Sequence, residues 1–298
     1  MKYKHLFGPV PSRRLGVSLG IDLVPLKVCS LNCVYCEVGK TTLLTTQRKE
    51  YVKTEEIYEE LNHYLSKNPD LDYITFSGAG EPTLHSKLGE IARFIKNNYP
   101  QYKLALLTNS TLLKDENVIF EVSVFDLILP SLDCVSERCF LKLNRPNKNL
   151  KSYDLVEGLI KLRKAYKGKI WLEVFFVPNI NDNKEEILLL KEEITKINPD
   201  KVQLNTLDRP GTAEWVKPLS REKLEEIKDM LKPLPVEIIA KFKSRKKIKS
   251  FDEEIQEQIL QAIKRRPCTD YDLSEMLSLH INELNKQTLK EIHILKEY

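Results

Sequence analysis

Val17, Leu19, Ile21 and Leu23 alternate with Ser18, Gly20, Asp22 and Val24, a period of two that predicts a strand. Residues 73–76, 104–108, 127–132, 170–177 and 201–205 repeat the signal as short apolar runs rich in β-branched and aromatic residues, and residues 236–239 add a last extended run. Between these runs the apolar period lengthens to that of a helix. Thr54 is placed to cap a helix carrying Ile57, Leu61, Tyr64 and Leu65 on one face. Further helices are expected near 86–97, 115–123, 153–166, from Asn183 to about 197, and at 220–231. Residues 1–16, with Gly8, Pro9 and Pro11, predict irregular chain leading into the first strand.

Strands and helices that alternate over most of residues 1–240 imply an α/β fold with a parallel sheet and crossover helices. Six or seven such units predict a partial (βα)6 TIM-type barrel, in which chemistry gathers at the C-terminal ends of the strands. Residues 241–250 open with six basic side chains in nine and read as a basic linker. Beyond them Ile255, Ile259, Leu260 and Ile263 mark one helix face, and Thr269 starts a second helix with Leu273, Met276 and Leu277. A third helix at about 280–292 makes residues 251–298 a small helical domain of the helix-turn-helix or winged-helix kind.

Composition changes this picture little. Of 298 residues, 42% are hydrophobic and 30% charged, as expected of a globular chain with a sizeable core. The net charge of +4 is too small to identify a nucleic-acid binder, but it is unevenly placed: residues 251–298 carry −4 and residues 1–250 carry +8. The basic linker is therefore the candidate contact for RNA, and the acidic helical domain a candidate docking element for a protein. No apolar run reaches membrane-spanning length and no signal-peptide core opens the chain, so a cytoplasmic protein without a membrane partner is expected. Six cysteines, three of them clustered, suit metal chemistry in a reducing compartment better than a disulfide framework.

The cluster is Cys29, Cys33 and Cys36, a C-x3-C-x2-C spacing directly after the first strand. Three thiolates on one short loop are ligands for a [4Fe–4S] cluster, and three cysteines on four irons leave one iron open to bind something else. Zinc is the rival, but no second C-x-x-C or H-x3-H pair follows to complete a zinc site. Other polar residues fall at the ends of neighbouring strands: Gly78 to Glu81 after the second, Asn109 after the third, Ser131 and Asp133 after the fourth. Cys134, Cys139 and Cys268 are candidates for a second cluster, with free thiols as the commoner alternative.

The cysteine spacing, with Tyr35 before the last cysteine, resembles the signature of the radical S-adenosylmethionine (SAM) superfamily. Gly78-Ala79-Gly80-Glu81 resembles the superfamily's glycine–glycine–glutamate motif, with Ala79 in place of a glycine. The resemblance implies that this turn meets the methionine amino group of SAM, that Ser131 and Asp133 bind the ribose, and that Asn109 lies near the ligand. By the same resemblance Gln203 or Asn205 approaches the adenine and Tyr35 walls it. The implied chemistry is reductive cleavage of SAM at the [4Fe–4S] cluster to a 5′-deoxyadenosyl radical, which abstracts hydrogen from a substrate. An electron donor such as ferredoxin or flavodoxin is implied with it.

Within the superfamily, FGPVPSRRLG and GEPTLH resemble iron–sulfur oxidoreductases grouped with wyosine-synthesising tRNA enzymes, which implies an RNA base as substrate. The alternatives are a peptide-modifying or glycyl-radical-activating enzyme, and a non-enzymatic iron–sulfur sensor with a DNA-binding domain. Substrate-side candidates are Arg13 and Arg14, which suit a carboxylate or phosphate. His85 is a candidate for proton transfer, and Glu173 is a charge on an otherwise apolar strand.

Overall fold

The structure, a computed structural model, describes residues 3–12, 14–208 and 211–239. The linker at 241–250, the helical domain at 251–298, Cys268 and Arg13 lie outside the described residues. In chain order the elements are β1 (Leu6–Ser12), β2 (Gly16–Ile21), β3 (Val28–Cys29), β4 (Leu43–Leu44), α1 (Thr54–Leu65), β5 (Tyr73–Phe76), α2 (Leu88–Asn98) and β6 (Leu104–Thr108). They continue as α3 (Glu116–Val122), β7 (Leu127–Pro130), α4 (Glu137–Leu143), α5 (Ser152–Ala165), β8 (Lys169–Phe175), α6 (Lys184–Ile197), β9 (Lys201–Asn205), α7 (Arg221–Met230) and β10 (Val236–Ile238).

Strand order in the main sheet is β1-β2-β5-β6-β7-β8-β9-β10. From β2 onward every neighbour is parallel, and each step from one strand to the next carries at least one helix. The result is the partial barrel that the alternation predicts. β1 and β10 end the sheet, so among the described residues the strands do not close on themselves.

Alternate strand residues fill two different spaces. Ile74, Phe76, Leu104, Leu106, Ile128, Ile170, Leu172, Val174, Val202 and Leu204 are fully buried in the large core shared with the helices. Burial of each such side chain stabilises the fold by about 1.5–3 kcal/mol. The opposite face forms a separate, smaller cluster: Leu15 packs on Ala105, Leu127 and Leu129, with Tyr73, Leu107 and Trp171 around them. These residues lie toward the N-terminal ends of the strands, so Leu15 plugs the barrel floor. The same face also carries polar residues: Ser18 opposite Tyr73, Thr75 opposite Ala105, and, farther along β8 and β9, Glu173 opposite Gln203.

Three local expectations are corrected. Residues 6–12 form β1, antiparallel to β2 with a register shift between Phe7 and Val10, rather than irregular chain. Prolines are tolerated there because β1 is an edge strand. Thr54 is the first residue of α1 rather than its cap: Lys53 holds the cap position, and Glu50 accepts from both the N–H and the hydroxyl of Thr54. A helix absent from the sequence reading, α4, follows Ser136, whose hydroxyl accepts from the N–H of Cys139.

β1 is secured by one buried carboxylate. Glu60 on α1 accepts from the backbone N–H groups of Lys4, His5 and Leu6 at 2.7, 2.9 and 3.1 Å. Glu60→Ala strands these donors and is expected to cost about 1.5–3 kcal/mol, read as a lower urea midpoint with an unchanged slope.

Candidate functional site

The cysteine loop begins where β3 ends, and neighbouring segments hold it along its length. Val34 donates its N–H to Leu143 O and accepts at its carbonyl from Ala213 N–H, both at 3.0 Å. The Tyr35 ring stacks on Phe175 with centroids 3.9 Å apart and planes 9° from parallel. Its hydroxyl donates to Asp133 Oδ2 at 2.5 Å. Thr212 closes the end of the loop by donating its hydroxyl to Cys36 O. Gly211 approaches so closely that a Cβ there would lie 2.9 Å from the Tyr35 carbonyl.

Cys29, Cys33 and Cys36 are free thiols, each partly exposed, and each sulfur receives a protein N–H. Asn109 Nδ2 lies 3.4 Å from Cys29 Sγ, Asn144 Nδ2 lies 3.4 Å from Cys33 Sγ, and Lys27 Nζ lies 2.9 Å from Cys36 Sγ. Lys27 is buried with a left-handed backbone, φ +59°. Burial alone lowers the pKa of its ammonium, but the three sulfurs outweigh that and raise it. Burial pushes the Cys29 thiol up to about 11, with the Glu81 charge adding to it, and raises Cys33 further. Thiols so placed give up their protons to a metal rather than to solvent. Three soft donors, each with a hydrogen bond to stabilise its thiolate, suit an iron–sulfur cluster.

The glycine-rich turn stands beside this loop. Gly78 has φ +101°, and a Cβ there would lie 1.8 Å from Asp22 Oδ1. That same oxygen accepts from Ala79 N–H at 2.8 Å, while Ala79 O accepts from Lys27 N–H. A Cβ on Gly80 would lie 2.0 Å from Val28 O, so the turn and β3 touch backbone to backbone. Glu81 is buried, and its carboxylate is consumed locally. Oε1 accepts from Thr83 N–H, Thr83 Oγ1 and Thr108 Oγ1, and Oε2 accepts from Asn109 N–H at 2.7 Å. Burial raises its pKa against these four donors.

Asp133 is committed in the same way. Oδ2 takes the Tyr35 hydroxyl and Asn144 Nδ2, and Oδ1 takes Phe175 N–H at 2.9 Å. Burial pushes its pKa up to about 6 in spite of these donors. Ser131 bridges β7 to Glu173, donating its N–H to Thr108 O and accepting from Ser110 Oγ at its carbonyl. Asn109 also donates to Ser30 Oγ at 2.9 Å, tying β6 to the cysteine loop.

Glu173 faces the interior, paired with Arg14 Nη1 at 2.7 Å and accepting from Asn205 Nδ2 at 2.7 Å. Beside it Gln203 donates to Glu237 at 2.8 Å and leaves its buried Oε1 without a partner. His85 is placed elsewhere. It is fully buried, its Nδ1 accepts from Lys87 N–H, and its Nε2 therefore donates to Val52 O at 2.9 Å. With both ring nitrogens on backbone groups and burial lowering its pKa, His85 is a structural residue.

Cys134 and Cys139 are joined as a disulfide, against the expectation of free thiols or cluster ligands. The end of β7 and the first turn of α4 bring their Cα atoms to 5.6 Å, within bonding range. Sequence reasoning missed Lys27, Asn144 and Phe175. The signal for Lys27 was its place two residues before the first cysteine; Asn144 and Phe175 are far in sequence from what they touch.

A family model described as "Radical SAM superfamily" matches residues 23–190. A UPF0026 protein of Methanocaldococcus jannaschii is 34% identical over 91% of this chain and 85% of its own length. A protein of Brachyspira hyodysenteriae named GTPase Obg is 37% identical over 95% of this chain, which spans 41% of that protein. Solved structures similar in fold include a radical SAM methyltransferase from Sphaerobacter thermophilus, at TM-score 0.55, 15% identity, and 74% and 66% coverage of the two chains. Streptococcus suis SuiB bound to precursor peptide SuiA superimposes at TM-score 0.56, 13% identity, and 73% and 48% coverage. Among the described residues no helix is long and apolar enough to cross a membrane.

Asn144→Ala and Lys27→Met are each expected to lower metal retention or activity about 10–100-fold. They differ in sign-bearing detail: Lys27→Met also removes a positive charge, so the midpoint potential of the bound cluster falls. Redox titration followed by electron paramagnetic resonance checks this, and Asn109→Ala, which removes a neutral donor, is expected to shift the potential less.

Proposed function

Because the chain belongs to the radical SAM superfamily, and is thus an enzyme that uses a [4Fe–4S] cluster and SAM, we propose that its substrate is an RNA base. When bound, the cluster and SAM supply one-electron reduction and hydrogen-atom abstraction. Cys29, Cys33 and Cys36 would hold the cluster, and the Gly78–Glu81 turn and Ser131 would border SAM. Glu81 and Asp133 act by fixing backbone and loop, since their oxygens are already taken. Tyr35, held flat against Phe175, and Asn205, turned to Glu173, would line the adenine side. Glu173 and Arg14 keep the barrel interior polar, and Leu15 closes its floor to water.

One observation carries the RNA reading. A cleft of about 540 Å³ opens where the loops after β8 and β9 meet α4, lined by Trp215, Pro178 and Ile180 together with Lys142 and Lys217. Trp215 is 53% exposed, an unusual position for so large an apolar ring. The chain on both sides of the cleft reaches the cysteine loop, because Leu143, next to Lys142, and Ala213, two residues before Trp215, both bond to Val34. An exposed indole in a cleft that two lysines also line matches an unstacked base with its phosphates.

Binding of transfer RNA by the full chain, followed by fluorescence anisotropy over a salt series, tests this. Trp215→Ala is expected to weaken binding by about 1–3 kcal/mol. Lys142→Ala and Lys217→Ala are each expected to lower the salt slope by about one. RNA binding that is equal in all three variants, or absent at low salt, contradicts the reading.

A further inference from the structure

Three leucines stand out on the outer side of the cysteine loop: Leu26, Leu43 and Leu44 are 54%, 46% and 39% exposed. Large apolar side chains grouped on a surface mark an interaction site more often than chance placement. Among the described residues β4 pairs only with β3, Leu43 opposite Val28 and Leu44 opposite Cys29, and Thr45 N–H continues the contact to Cys29 O at 3.0 Å. The patch is therefore one hydrogen-bonded strand away from a cluster ligand.

Its rim is mainly basic, with Glu37 and Glu50 at its edge. Residues 25–32, 38–49 and 144–149 contain no Asp or Glu, and Lys40, Arg145 and Lys148 among them are exposed. The last segment belongs to the same surface, because Asn147 donates its N–H to Ser30 O and its side chain to Leu44 O.

We propose that this leucine patch with its basic rim docks a small acidic electron-transfer protein that reduces the cluster. The step moves one electron from the donor's reduced flavin or iron–sulfur centre to the oxidised cluster; no bond or proton changes hands. An apolar centre with a charged rim fits a transient redox partner, in which charge steers the encounter and the contact stays small. The position next to Cys29 serves the same end, because electron transfer weakens steeply with distance.

The test uses the full chain, anaerobically reconstituted, with a flavodoxin and a plant-type ferredoxin as probes. Calorimetry is expected to detect salt-sensitive binding of at least one probe. The variants Leu43→Glu/Leu44→Glu and Lys40→Glu/Arg145→Glu/Lys148→Glu are expected to weaken it about 10–100-fold, since each places like charges against the acidic partner. Stopped-flow reduction of the cluster by the reduced probe should slow in parallel, while reduction by dithionite and the cluster's spectrum stay unchanged, which separates lost docking from a damaged site. Unchanged probe binding and probe-driven reduction in both variants overturn the proposal. So does a change confined to self-association, which assigns the patch to a second copy. A change confined to protease protection of residues 251–298 also overturns it, because it assigns the patch to the chain's own acidic segment.

Discussion

The cysteine loop has only a two-residue strand of regular structure, so a side chain must supply the order that a helix or sheet would otherwise provide. That side chain is Asp133. Its three hydrogen bonds fasten Tyr35 of the loop, Asn144 at the end of α4 and the backbone of Phe175 on β8 to one buried point. Tyr35 is thereby laid flat on Phe175, and Asn144 is aimed at Cys33. Burial raises the carboxyl's pKa to about 6, so the group remains charged at neutral pH at some cost to stability. The cost is offset because each stranded donor would itself forfeit about 1–3 kcal/mol.

The same device recurs around the mouth of the barrel. Glu81 gathers the glycine-rich turn and the end of β6, and Asp22 holds Ala79 from the end of β2. Lys27 completes the ring by joining that turn to Cys36. Carboxylates that look catalytic by residue type are thus mostly spent on building a rigid rim. Glu173 joins strands rather than loops: it sits in the interior, paired with Arg14 and accepting from Asn205.

How much of this was legible follows from the range of each interaction. β2 and the strands from β5 to β10 announce themselves by local apolar pattern, because the signal lies within a few residues, whereas the two-residue strands β3 and β4 are too short to carry one. β1 was hidden by its prolines, which an edge strand accepts but local rules penalise. α4, at seven residues, is too short for a periodic signal. At the site, the cysteines and the glycine-rich turn are contiguous motifs and could be read directly. That Asn144 bonds to Cys33, or that His85 turns away to Val52, depends on contacts more than thirty residues apart in sequence, which no local pattern encodes. The disulfide between Cys134 and Cys139 was missed because cysteine count argues from compartment, whereas the bond follows from where β7 ends and α4 begins.

The central claim is that three cysteines on this loop hold a single cluster with one iron left for SAM. The most direct test is metal analysis of the anaerobically reconstituted chain combined with electron paramagnetic resonance of the reduced protein, with and without SAM. The account predicts about four irons and four sulfides per chain, and a low-spin cluster signal that changes on adding SAM and disappears in Cys33→Ala. One bound zinc, about eight irons, or a cluster spectrum indifferent to SAM would contradict it.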